Sequence, residues 1–184
     1  MKNAAKKNMA MSERLLNIFI DEPRWDDELP AAGQIARQVL DAVLDCVNTR
    51  ETVDFIKDGK PLSVNLSLSN DAEIQKLNGR FRQLDRPTNV LSFATIDDPD
   101  FDSQAAEIEL GDIVIALETM QRESAAKNIS LRDHFCHLFA HGLLHLLGFD
   151  HQEDDEAEYM EDFEVNILQK LNISNPYEEE AADA

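Results

Sequence analysis

The chain holds 184 residues, 43% of them apolar, and reads as one domain with a real core. No apolar run approaches the roughly 18 residues of a membrane-spanning helix, and the two cysteines, Cys46 and Cys136, cannot make a disulfide framework. The formal charge of -20 sets the bulk field against nucleic acid, although the distribution is uneven. Residues 152–184 carry twelve acids and one lysine, whereas Lys76, Arg80, Arg82 and Arg86 cluster around Asp85. The basic N-terminus lacks a continuous apolar stretch, so no signal peptide is read there. Two buried thiols suit a reducing cytosol, and the expected location is cytoplasmic, away from any membrane.

Residues 1–12 read as a disordered N-terminal extension, 13–172 as a single α+β domain, and 173–184 as an acidic disordered tail. Leu15 to Ile20 has β character and makes a first strand. Asp21 to Glu28 is an acidic loop whose Trp25 anchors packing. Pro30 suits a helix start, and Ile35, Val39, Ala42, Val43 and Cys46 mark one apolar face to about Asn48. Residues 49–61 form a connection with a turn at Asp58-Gly59.

Ser63 to Ser69 alternates strictly, as a strand with one buried face does. Asn70 caps the next helix, with Glu73 at capping-box spacing, and that helix ends near Gly79. A basic loop, Arg80 to Pro87, leads into a strand over Asn89 to Ala94. Ile96 to Glu109 is acidic and reads as a flexible loop; Gly111 to Leu117 is the most apolar strand, placed centrally. Helices follow over 118–127, from the cap Ser130 to Leu147, and from the acids Asp154 to Glu158 onward. The order β-α-β-α-β-β-α-α-α gives the α+β class, a sheet with helices packed against it.

The chemistry concentrates in His141-Gly142-Leu143-Leu144-His145-Leu146-Leu147-Gly148-Phe149-Asp150-His151. His141 and His145 share one helix face, one turn apart. Gly148 stops the helix because glycine tolerates the left-handed conformation after a C-cap. The chain then folds back and carries His151 towards the other rings. Three imidazoles with a fourth position open are the ligand set of a catalytic zinc site. The spacing is that of the metzincin motif, with Gly142 where those proteases hold a general-base glutamate. A rival pair, His137 with His141, loses because Gly148 and His151 are spaced from His145.

HGLLHLLGFDH, together with Asp85-Arg86-Pro87-Thr88-Asn89-Val90-Leu91-Ser92-Phe93, resembles the YbeY family of bacterial zinc-dependent endoribonucleases and rRNA maturation factors. The resemblance spans about residues 60–170. It implies a mixed four-stranded sheet with the zinc-binding helix beneath it and a cleft between. It places one zinc per chain on His141, His145 and His151, and the family's functional arginine on Arg82. The activity implied is cleavage of single-stranded RNA in 16S rRNA 3′-end maturation and ribosome quality control. The small ribosomal subunit, with a basic ribosomal protein or an assembly GTPase, would be the partner.

A guanidinium at position 82 can hold two phosphate oxygens and take up transition-state charge. With Gly142 supplying no carboxylate, the proton acceptor stays open. Asp150 reads as a loop cap; Thr88, Asn89 and Ser92 either line the cleft or serve structure alone. Two readings compete with the nuclease. One is a metalloprotease-like hydrolase, suggested by the histidine spacing. The other is a non-catalytic assembly factor whose zinc is structural and whose acidic surface docks a basic protein.

Overall fold

Leu62, Val64, Leu66 and Leu68 are all buried and alternate with Ser63, Asn65 and Ser67, so the strand that carries them has one face committed to a core. In the computed structural model, which describes residues 13–51, 53–151 and 153–177, this strand is β2 (Leu62–Ser69). It pairs in parallel with β1 (Arg14–Ile20) on one side and β4 (Ile108–Ala116) on the other. An antiparallel edge strand, β3 (Val90–Ala94), completes the order β1-β2-β4-β3. The sheet is mixed and four-stranded, as expected. Parallel neighbours need a crossover, and α2 (Ala32–Arg50) lies between β1 and β2 in sequence, burying Ala36, Val39, Leu40, Val43 and Val47.

The other long helices are α4 (Asp71–Arg82), α5 (Leu117–Ala126), α6 (Leu131–Leu146) and α7 (Asp154–Lys170). Helix α6 touches β3, β4, α2, α5 and α7, and nearly all its residues from His134 to Leu146 are buried. It packs closely against the sheet at Gly142. A Cβ there would stand 3.1–3.3 Å from three atoms of the Ile113 side chain. The position that bears the base in the protease motif therefore faces the core.

Several segments differ from expectation. The acidic stretch 21–28 contains a turn of helix, α1 (Trp25–Glu28), because buried Trp25 pins it and donates from Nε1 to the Ser69 carbonyl at 2.9 Å. A second short helix, α3 (Asp54–Lys57), interrupts the connection before Gly59. Helix α4 runs through Gly79 to Arg82 and closes on Gln83 in the left-handed region, φ 59°. One interior glycine costs only about 1 kcal/mol, and the extra turn sets Phe81 edge-on to Phe93, with ring centroids 5.0 Å apart. Arg80 and Arg82 thus sit in a helical last turn, where their charge suits the dipole.

Strand β4 begins at Ile108 and bulges before Gly111, where the register passes from Ser63↔Glu109 to Val64↔Gly111. The loop before it packs down: Phe101 meets Phe55 at 6.3 Å and Lys60 Nζ donates to the Ser103 carbonyl at 2.8 Å. Residues 173–177, assigned above to the tail, lie against the domain, with Ile173 buried and Tyr177 bonded to Glu164. The N-terminal extension 1–12 and residues 178–184 lie outside the described residues. Among the described residues no helix is long and apolar enough to cross a membrane.

Candidate metal centre and cleft

Ser130 starts α6 by accepting a hydrogen bond from the Asp133 amide at 3.0 Å. At the other end Gly148 (φ 89°) donates to the His145 carbonyl and Phe149 donates to the Leu144 carbonyl, the paired bonds of a Schellman motif. That reversal sends Asp150 and His151 back over the end of the helix. The Asp150 carboxylate accepts from the His151 amide at 2.8 Å, the loop-capping role expected of it. The three rings then converge: centroids are 4.6 Å apart for His141 and His145, 4.9 Å for His145 and His151, and 5.4 Å for His141 and His151. One nitrogen of each lies within 4.8 Å of the others, a group that could hold a metal ion.

The chemistry of the donors tests that fit. His145 Nδ1 lies 2.9 Å from the Phe149 carbonyl, and His141 Nδ1 lies 2.8 Å from Glu164 Oε1. A carbonyl and an ionised carboxylate only accept, so both Nδ1 atoms carry the proton and both Nε2 atoms present lone pairs. Those two Nε2 atoms face each other at 3.1 Å. Two lone pairs at that distance repel unless a cation lies between them. For a tetrahedral zinc with bonds of about 2.0–2.1 Å, two ligand nitrogens stand about that far apart. Burial, followed by the neighbouring charges of His141 and His151, lowers the His145 pKa to about 4, which keeps the ring neutral and ready to ligate.

Glu164 escaped the sequence reading. It is 1% exposed on α7, and its carboxylate takes hydrogen bonds from His141 Nδ1, from His137 Nε2 at 2.7 Å and from the Tyr177 hydroxyl. Burial pushes this carboxyl up, but the bonds from His137 and His141 outweigh it and hold the pKa at about 2. A signal was present: Met160, Glu164 and Leu168 fall at i, i+4 and i+8, an acid within the buried stripe of its helix. His137 belongs to this carboxylate and stands outside the three-ring group.

A cleft leaves the cluster along α5. A cavity of about 310 Å³ beside His141 is lined by Asn89, Glu123, Lys127, His137 and Tyr177. It shares Asn89 and Glu123 with a cavity of about 360 Å³ that holds Arg82, Arg86 and Thr88. Towards the C-terminus it shares Lys127 and His137 with one of about 540 Å³ along Ser130 and Asn175. Between the first two, burial raises the Glu123 pKa, while hydrogen bonds from His134 and Asn89 outweigh it and leave the carboxyl below its ordinary value. The Arg82 guanidinium is exposed and has no ion-pair partner among the described residues. The loop after Arg82 is pinned by Asn78, which donates to the Arg86 carbonyl at 2.8 Å, and by Gln75, which donates to Asp85 at 2.8 Å. Of the sequence-predicted residues, His141 and Arg82 therefore line adjoining cavities that share Asn89 and Glu123.

A sequence model of the family described as Endoribonuclease YbeY matches residues 20–172. The chain belongs to the YbeY family. It is 41% identical over 175 residues to Endoribonuclease YbeY of Francisella tularensis subsp. tularensis strain SCHU S4, covering 95% of this chain and 96% of that one. Against Endoribonuclease YbeY of subsp. novicida strain U112 the identity is 41% over 155 residues, covering 84% and 90%. The solution structure of TM1509 from Thermotoga maritima superposes with a TM-score of 0.51 at 20% identity, covering 86% of this chain and 92% of that one; it supports the fold alone. Family membership agrees with the resemblance carried by the two motifs. In this chain the Gly142 position packs helix against sheet at Ile113, where the metzincin motif carries its base.

Proposed function

We propose that this chain is a zinc-dependent endoribonuclease specific for single-stranded RNA, acting in 16S rRNA 3′-end maturation and ribosome quality control. The observation that carries the reading is the pair of facing Nε2 lone pairs of His141 and His145, with His151 beside them, next to a cavity that adjoins that of Arg82, a guanidinium without an ion-pair partner among the described residues. Zinc bound there would supply Lewis acidity to a phosphoryl oxygen and acidify a water, lowering its pKa to about 7. The chain's own residues do the rest. His141, His145 and His151 would hold the ion through one ring nitrogen each. Arg82 takes two oxygens of the scissile phosphate and stabilises the charge that grows on them. Asn89, tied to Glu123 at 2.9 Å, gives the groove a fixed wall between the two positions.

Family membership supports an RNA substrate, and adjoining cavities that share lining residues extend from His141 towards Arg82 and towards Asn175. A net charge of -20 argues for salt-sensitive RNA binding and for a basic protein partner on the small ribosomal subunit, a ribosomal protein or an assembly GTPase. Buried, unpaired Cys46 and Cys136 favour the cytoplasm. The test is cleavage by purified, zinc-loaded protein of a single-stranded rRNA 3′ precursor, its duplex form and an unfolded protein. Cutting of the single strand alone, abolished in His151→Ala, supports the reading. A folded, zinc-loaded protein that cuts none of them, or that cuts protein only, refutes it.

A further inference from the structure

We infer that Tyr177 and Glu164 form a relay that positions His141, so that the C-terminal segment is part of the metal centre. The inference rests on the reading of His141, His145 and His151 as metal ligands.

Glu164 lies in the apolar stripe of α7, with Met160, Phe163, Ile167 and Leu168 buried around it. A carboxylate in such a place is strongly destabilising unless its lone pairs are filled. They are filled from two elements besides its own. Helix α6 gives His141 Nδ1 to Oε1 at 2.8 Å and His137 Nε2 to Oε2 at 2.7 Å. The chain after α7 gives the Tyr177 hydroxyl to Oε2. The His137 N–H is shared with the Tyr177 oxygen, 3.2 Å away, and the two rings meet edge to face at 5.6 Å. Tyr177 is brought there by its own segment: the Ile173 amide bonds the Leu168 carbonyl at 2.9 Å, and the Tyr177 amide bonds Asn175 at 2.9 Å.

The two carboxylate oxygens thus serve different masters. Oε2 is fixed by Tyr177 and His137, and that fixes the plane in which Oε1 meets His141. An outer partner of this kind sets the tautomer and the angle of a ligating ring and raises its basicity. Removing the hydroxyl leaves Oε2 with His137 alone and lets the carboxylate turn between the two rings. The nitrogen of His141 that faces His145 then loses its fixed direction.

The relay is tested by Zn²⁺ affinity, measured by chelator competition, and by the Co²⁺ absorption spectrum of wild type, Glu164→Gln, Tyr177→Phe, the double variant and His141→Ala. Glu164→Gln is expected to weaken zinc by roughly 10–100-fold, and Tyr177→Phe by several-fold, with a lower metal-free melting temperature because a buried carboxylate loses one donor. The double variant is expected to match Glu164→Gln, because the hydroxyl acts only through the carboxylate. Should Glu164→Gln not fold, Tyr177→Phe decides through its Co²⁺ spectrum, where an altered ligand field supports the relay. Wild-type affinity and spectrum in Tyr177→Phe, or losses that multiply in the double variant, overturn it. If His141→Ala alone loses metal, the three-histidine site stands and the relay falls. A wild type that takes up no metal overturns both.

Discussion

The backbone carbonyl of Phe149 accepts a hydrogen bond from Nδ1 of His145 at 2.9 Å, so the turn that ends α6 also aims a ring of the candidate metal centre. The carbonyl is placed by the Schellman bonds around Gly148, whose φ of 89° suits only glycine without strain.

Gly148→Ala tests that coupling. A Cβ would meet nothing closer than Ile96 at 3.7 Å, so the cost is conformational, about 1–2 kcal/mol for a non-glycine residue in this region. The variant is expected to fold, to melt lower and to bind zinc more weakly than wild type. Unchanged zinc affinity despite the lower melting temperature would separate the turn from the ligand.

Arg82→Ala is expected to leave both folding and zinc content intact, because the guanidinium is exposed and pairs with no described residue. Loss of one donor to a charge-developing oxygen is worth about 10²–10³ in rate. Single-turnover cleavage should fall by that order, with partial recovery in Arg82→Lys, which keeps charge but not the fork. Cleavage by Arg82→Ala at the wild-type rate would remove Arg82 from the chemistry.

The metal-free protein should lose stability as the pH falls through two windows. Burial and the charges of His141 and His151 lower His145 from 6.5 to about 4, so between those values the unfolded chain binds a proton that the folded one refuses. Stability therefore rises with pH across that window and declines as pH drops through it. Glu164 acts lower. Burial raises it, but its histidine bonds bring it from 4.5 to about 2, so its contribution is present above about pH 4.5 and is lost towards 2. Urea midpoints of chelator-treated protein check this, and a midpoint that stays level from about pH 7 to about pH 4 would contradict it.

Gly111→Ala should be the most damaging small substitution. Its φ is 132°, and a Cβ would stand 2.1 Å from the Phe93 carbonyl oxygen. Left-handed strain and forced displacement together cost about 3 kcal/mol or more. Because β3 leads back to Asn89 and the groove wall, the surviving folded fraction should also cleave slowly. Wild-type stability would mean that β3 can shift freely.

Much of the site was legible because its signals are local. The i, i+4 spacing of His141 and His145, the stop at Gly148 and the return to His151 are properties of one short segment. Strand alternation at Ser63–Ser69 and the caps Asn70 and Ser130 are local in the same way. The end of α4 was misplaced because Gly79 reads as a breaker. What carries the helix onward is the Phe81–Phe93 contact, which exists only after β3 has docked.

By itself, the sequence determined the helix periods, the strand faces and the ligand spacing, since each depends on backbone geometry within a few residues. The tertiary structure alone decided which polar groups meet. It set Gly142 against Ile113, turned Glu164 onto His141 and Tyr177 onto Glu164, and placed Arg82 and His141 in adjoining cavities that share Asn89 and Glu123. Those contacts join residues 13 or more apart in the chain, or pass through cavities that several elements line. Their partners are set by how whole elements pack, and a spacing along one chain segment carries no record of that.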